Sequence, residues 1–137
     1  MEEEAVAKPK EEEKENVKGR IKLSMNSVVG FTSPRTMKLV GEMKGSRVTV
    51  LIDSGATHNF IALYVVRRLE LPPTSTNAYR VVMGIDKLVQ TQGLYKLLTF
   101  SLQGINVCKD FLPLELESVD VILGMQWLET RILMQII

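Results

Sequence analysis

From about residue 21 onward, apolar positions come in short runs of Val, Ile, Leu, Met and aromatic residues, most of them parted by Gly, Pro, Ser or Asn. Runs of this length with turn residues between them predict a mainly β domain. "TMKLVGEM" and "RVTVLID" flank the loop "KGS", where Gly45 can supply a positive φ, so residues 36–53 are expected to form a hairpin whose second strand ends on Asp53. In "HNFIALYVVRRLEL", Phe60, Ile61, Tyr64, Val65 and Leu69 recur near helical spacing. One helix is expected there, capped by Thr57 or Asn59 and stopped by Pro72-Pro73. "YRVVMGIDKLVQTQG" predicts a second hairpin with Gly84, Ile85, Asp86 and Lys87 near its tip, and "LYKLLTFSLQGINVCKDFLPLEL" a third that turns at Gln103-Gly104-Ile105-Asn106. "SVDVILGMQWLETRILMQII" begins as a short apolar strand, breaks at Gly124 and continues as a short helix through Trp127 and Leu128. The expectation is a strand-rich chain with one or two short helices and no internal repeat.

Composition narrows this picture. A chain of 137 residues suits one domain with one core. Its 45% hydrophobic and 24% charged content is that of a globular protein, and Lys+Arg at 17 nearly balance Asp+Glu at 16. That balance, with no zinc knuckle and no basic patch interleaved with aromatics, argues against direct nucleic-acid binding. The opening "MEEEAVAKPKEEEKENVKGR" has almost no apolar side chains to offset its ordering entropy. Residues 1–20 are expected to be a disordered or loosely helical charged tail, and residues 21–137 the domain. No apolar run has transmembrane length and the acidic start is unlike a signal peptide, so a soluble, intracellular, cytoplasmic protein without a membrane partner is expected. The single cysteine, Cys108, cannot form an intramolecular disulfide, and its place in an apolar-alternating run predicts a small core residue.

Several chemistries lack their residues. There is no phosphate loop and no dinucleotide fingerprint, and the Gly that a serine nucleophile elbow needs before Ser54 is replaced by Ile52. His58 is the only histidine, which leaves a metal site without its usual partners and predicts an exposed residue at a helix start. Asp53 stands apart because it follows "VLI", a run expected to be buried, and a carboxylate there is costly unless compensated. Two accounts fit: an Asx-type turn residue, or an acid held in place for chemistry.

The blocks "VTVLIDSGATHNFI", "LELPP", "VVMGIDKLVQTQG" and "FLPLELESVDVILGMQWL", in that order, resemble the retropepsin-type aspartic protease domain of gypsy-type LTR retrotransposons, abundant in plant genomes. The likeness spans roughly residues 28–128. It implies a retropepsin-like half-barrel with a flap hairpin and short helices. It makes Asp53 the catalytic aspartate, Ser54 the hydroxyl that braces paired loops, and Gly55 and Ala56 the small residues at the substrate. It puts Thr57 against the substrate main chain, Met83, Gly84 and Ile85 in the flap, and Val121, Ile122, Leu123 and Gly124 in the segment that packs beneath the loop and walls the pockets. No metal and no organic cofactor are implied, and the implied substrate is a peptide or polyprotein.

Aspartic proteolysis needs two carboxylates that share a proton. Asp86 and Asp120 lack the Ser/Thr-Gly that follows a catalytic aspartate, so the second carboxylate is expected from a second copy of the chain, in a homodimer. Family members usually continue past Trp-Leu with a Leu-Gly turn and a last strand ending in an Asp-aromatic pair, whereas this chain reads "ETRILMQII". That departure keeps open a second expectation: a catalytically inactive remnant, or a peptide-binding module that cannot pair its aspartates.

Overall fold

The computed structural model describes residues 20–85 and 87–124. The charged tail over residues 1–19, Asp86, and the C-terminal helix and "ETRILMQII" expected after Gly124 lie outside the described residues. The elements are β1 (Ile21–Leu23), α1 (Met25–Val29), β2 (Thr36–Met43), β3 (Ser46–Asp53), β4 (Phe60–Ala62), α2 (Leu63–Arg68), β5 (Ser75–Met83), β6 (Lys87–Leu102), β7 (Ile105–Leu114) and β8 (Val121–Leu123). All three expected hairpins form: β2 with β3, β5 with β6, and β6 with β7.

The strands join in the order β1-β5-β6-β2-β3-β8-β4-β7, and pairing of β6 with β7 closes the arrangement. Long β6 serves three neighbours by bending. Its N-terminal part carries β5, while its C-terminal part carries β7 and meets β2 at Gly41↔Leu102 and Glu42↔Ser101. The register slips between Tyr95 and Leu98, where Leu97 takes a left-handed φ of 56°. Gly41 permits the β2–β6 approach, since a Cβ there would stand 2.7 Å from the Ser101 carbonyl oxygen.

The innermost layer explains the unbroken apolar runs. β8 lies parallel to β3, with Val50↔Val121, Leu51↔Ile122 and Ile52↔Leu123 in register, and antiparallel to β4. Strands covered on both faces need apolar side chains at every position, and "VLI" and "VIL" supply them. Each such side chain contributes about 1.5–3 kcal/mol on burial. Phe60, Ile61, Tyr79, Leu102 and Phe111 complete this core, with Phe100 and Phe111 packed edge to face at 5.9 Å.

Four expectations are corrected. The helix expected over residues 58–71 is shorter, because Phe60–Ala62 form a fully buried strand and only Leu63–Arg68 are helical. Periodicity cannot separate a three-residue buried strand from the first turn of a helix when both are apolar throughout. Neither Thr57 nor Asn59 caps that helix: Ala62 is the N-cap and makes no side-chain cap bond. His58 is buried, at 6% exposure, not on the surface. Cys108 is exposed on β7, because strand alternation puts Val107 inward and turns the next residue to solvent. Elements β1 and α1 are additional to those predicted. No helix among the described residues is long and apolar enough to cross a membrane.

Candidate active site

Asp53 is the last residue of β3, paired in register with Thr36 on one side of the sheet, and it is 3% exposed. The chain turns sharply behind it. The Gly55 N–H donates to Asp53 Oδ1 at 2.8 Å and the Ala56 N–H donates to the Asp53 carbonyl at 3.2 Å. This is the Asx-turn geometry that Asp-Ser-Gly favours, so Asp53 does hold the turn. Ser54 reaches the other way: its N–H and its hydroxyl both donate to the Arg35 carbonyl, at 3.1 and 3.4 Å, tying the loop to the entry of β2.

The second oxygen of Asp53 is also engaged. The Ser27 hydroxyl, on α1, donates a short hydrogen bond to Asp53 Oδ2, and Ser27 itself is 1% exposed. A buried carboxylate is thus compensated inside one chain by an amide and a hydroxyl. Ser27 was not among the residues expected at the site. The local signal for its element was legible: Ser24 accepts from the Ser27 N–H as an N-cap, and Gly30 ends the helix with φ 85°.

Behind the loop, Gly124 fixes the end of β8 against residues 56–59. Its N–H donates to Asn59 Oδ1 at 2.9 Å, while Asn59 Nδ2 donates to the Asp110 carbonyl at 3.1 Å and the Leu112 N–H donates to the Asn59 carbonyl at 3.0 Å. A Cβ on Gly124 would fall 2.2 Å from the His58 carbonyl oxygen and 2.8 Å from that of Ala56. Val121, Ile122 and Leu123 are fully enclosed beneath the loop and offer no side-chain surface to a cleft within this chain. Ala56 is likewise fully buried.

In front of the loop lies the β5–β6 hairpin. Met83 is buried, Gly84 turns the tip with φ 68°, and Ile85 stands out at 94% exposure. Between this tip and the Asp53 turn runs a groove of about 420 Å³ lined by Arg20, Lys22, Ser24, Gly55, Gly84 and Ile85, among others. Thr57 faces the N-terminal segment: its N–H donates to the Lys22 carbonyl at 3.2 Å, its hydroxyl oxygen accepts from the Lys22 N–H at 2.8 Å, and it is 2.7 Å from His58 Nδ1. Of the expected site residues, Gly55, Gly84 and Ile85 line this groove; Asp53, buried in the turn, Ser54 and Thr57 do not, and the residues of β8 lie behind the loop.

No curated protein matches the chain. In structure it is similar to the retroviral protease-like domain of Ddi1 from Leishmania major, with a TM-score of 0.53 and 17% identity over 71% of this chain and 78% of that one. It also overlaps the prototype foamy virus protease-reverse transcriptase, with a TM-score of 0.47 and 20% identity over 67% of this chain and 11% of that one. A foamy viral protease-reverse transcriptase bound to an RNA/DNA hybrid gives 0.49 and 19% over 68% and 11%. The Ddi1 likeness shows a retropepsin-like fold. Residues 19–136 match the family described as retroviral aspartyl protease, and with nearly the whole sequence inside that match the chain belongs to this family.

Proposed function

We propose that the chain is an aspartic endopeptidase that acts as a homodimer, with Asp53 of each copy supplying one carboxylate. The observation that carries this reading is the placement of Asp53: at the end of a buried strand, oriented by the Gly55 N–H, and backed by a glycine that admits no side chain. Such preorganisation is expected of an acid whose position matters. One carboxylate of the pair takes a proton from water as its oxygen bonds to the scissile carbonyl carbon, and the other gives a proton as the C–N bond breaks and the amine leaves. Ser54 braces the loop, Gly55 and Ala56 leave room for the peptide, and Thr57, with Met83, Gly84 and Ile85 of the flap, holds its main chain. Val121, Ile122 and Leu123 support the pocket walls from behind, with Gly124 as the structural contact. The substrate is an extended, polyprotein-like peptide. On this reading the chain, with residues 21–137 as its domain and 1–20 as a tail, derives from a plant gypsy-type retrotransposon gag-pol protein.

A second reading, an inactive remnant or peptide-binding module, is favoured by the Ser27 contact, because within one chain both oxygens of Asp53 already have partners. Cleavage of an unstructured protein at acid pH, run with the solution mass, separates the two. Dimeric chain whose cleavage is lost in Asp53→Asn supports the protease; monomer with no Asp53-dependent cleavage refutes it.

A further inference from the structure

We propose that residues 21–27 are a built-in occupant of the peptide cleft, a strap that takes the position of a bound extended peptide and shields Asp53 until it is displaced. The consequence for proteolysis rests on the endopeptidase reading above, whereas occupancy of the cleft does not.

The strap bridges the Asp53 loop and the hairpin tip through its main chain, and Lys22, Leu23 and Ser24 form one side of the groove that remains open beside it. Toward the Asp53 loop, Lys22 exchanges two hydrogen bonds with Thr57, giving its N–H to the hydroxyl and accepting the Thr57 N–H at its carbonyl. Toward the hairpin tip, the Leu23 carbonyl accepts the Gly84 N–H at 3.2 Å, and β1 pairs with β5 from Ile21↔Val81 to Leu23↔Met83. Bonds of this kind do not read side chains; they are how a sheet edge accepts an added strand from any peptide. Side chains supply the selectivity. Ile21 and Leu23 are buried while Lys22 between them is exposed, so the cleft accepts apolar residues two apart with a free position between.

Past Leu23 the segment turns into α1, which delivers the Ser27 hydroxyl to Asp53 Oδ2. Asp53 is only 3% exposed in this arrangement, and both of its carboxylate oxygens are engaged within the chain, which leaves little of it open to an attacking water or a second carboxylate. The far end is tethered, since the Val28 carbonyl accepts the Glu117 N–H and the Val29 carbonyl accepts the Ser118 hydroxyl. Residues 21–27 can therefore leave the cleft about a fixed point at 28–30. A helix as short as α1 is not stable by itself, so its place depends on the contacts that residues 21–27 make in the cleft. The peptide class that displaces the strap shares its grammar: extended, with aliphatic side chains at alternate positions.

The test uses the full chain and a labelled peptide of residues 20–28, RIKLSMNSV. Its affinity is measured by fluorescence anisotropy for the native chain and for an Ile21→Asp/Leu23→Asp variant whose fold is checked by circular dichroism. The strap predicts binding at least tenfold tighter to the variant than to the native chain, and none by a scrambled peptide. Equal affinity for both chains overturns it. Amide exchange on the native chain decides the matter even where the variant fails to fold: protected Lys22, Thr57 and Gly84 amides support the strap, and exchange at unfolded-chain rates overturns it. Tighter peptide binding without any Asp53-dependent cleavage keeps the strap and removes the protease. Cleavage at equal rates by native chain and folded variant keeps the protease and removes the strap.

Discussion

Gly124→Ala is expected to be among the most damaging single-methyl additions in the molecule. The new Cβ would lie 2.2 Å from the His58 carbonyl oxygen, 2.9 Å from its carbonyl carbon and 2.8 Å from the Ala56 oxygen. All three are backbone atoms, so no side-chain rotation relieves the clash. Overpacking of this kind costs about 1–3 kcal/mol. Moving β8 away also lengthens the buried bond from the Gly124 N–H to Asn59 Oδ1, and a buried polar group left unpaired costs a further 1–3 kcal/mol or so. Together they remove about 2–6 kcal/mol from a domain whose whole stability is on the order of 5–15 kcal/mol. A melting temperature lower by roughly 10 °C or more follows for a domain of this size. Gly45→Ala is the control: its Cβ would meet nothing within 4 Å, and only the positive φ of 77° opposes it. That conformational cost is about 1–2 kcal/mol. Scanning calorimetry of both variants, with Asn59→Ala and the Gly124→Ala/Asn59→Ala pair, checks the account. The double variant should lose less than the sum of its parts, because both single changes break the same bond. Equal melting temperatures for Gly124→Ala and Gly45→Ala would refute the reasoning.

Asp53→Asn keeps the shape of the turn and the acceptor for the Gly55 N–H, so its unfolding free energy from urea titration should stay within about 1 kcal/mol of the native chain while cleavage activity disappears; substantial unfolding would show that the charge itself holds the loop. Tyr64 has its pKa raised above the ordinary value, first by burial and then by its hydrogen bond to Asp120 and that carboxylate's charge, with Arg68 opposing. The folded chain then holds the phenolic proton more tightly than the unfolded chain does, so stability is fully present below about pH 10 and declines as pH rises above it. In urea titrations, Tyr64→Phe should therefore show a smaller loss between pH 9 and pH 11 than the native chain; an equal loss would exclude Tyr64 as the source. Cys108 should react with a thiol reagent in the native state at the rate of an exposed thiol, and a requirement for denaturant would contradict its outward position.

What was legible in the sequence follows from how local the cause is. The hairpins could be read because their turns are written in residues such as Gly45, Gly84 and Gln103-Gly104 beside alternating strands. The Asp53 turn was readable for the same reason. Phe60–Ala62 read as helix in the sequence because their partners, β7 and β8, come from more than forty residues further along the chain, and only that pairing makes them a strand. His58 and Asn59 look like helix-start residues for want of the same information: the groups that Asn59 satisfies belong to Gly124, Asp110 and Leu112. The apolar run around Cys108 points to the core, although strand alternation decides the side each residue faces and turns this one to solvent. Ser27 could not be placed at all, since its cap motif predicts a short helix and says nothing of the carboxylate that helix meets.

Burial of Asp53 links the two proposals. A carboxylate taken out of water must keep hydrogen-bond partners, and here one comes from the turn and one from α1. If α1 leaves, the second oxygen has to be satisfied by water or by a group on another chain, which is the arrangement that a homodimeric protease requires. Strap release and assembly then draw on the same equilibrium. Each chain must open before two can pair their aspartates, so apparent dimer affinity falls with the square of the open fraction. With about one chain in a hundred open, the association constant is lowered about ten-thousand-fold. A dimer that is weak in the native chain and strengthened by Ile21→Asp/Leu23→Asp would mean that this segment sets how readily the second Asp53 arrives.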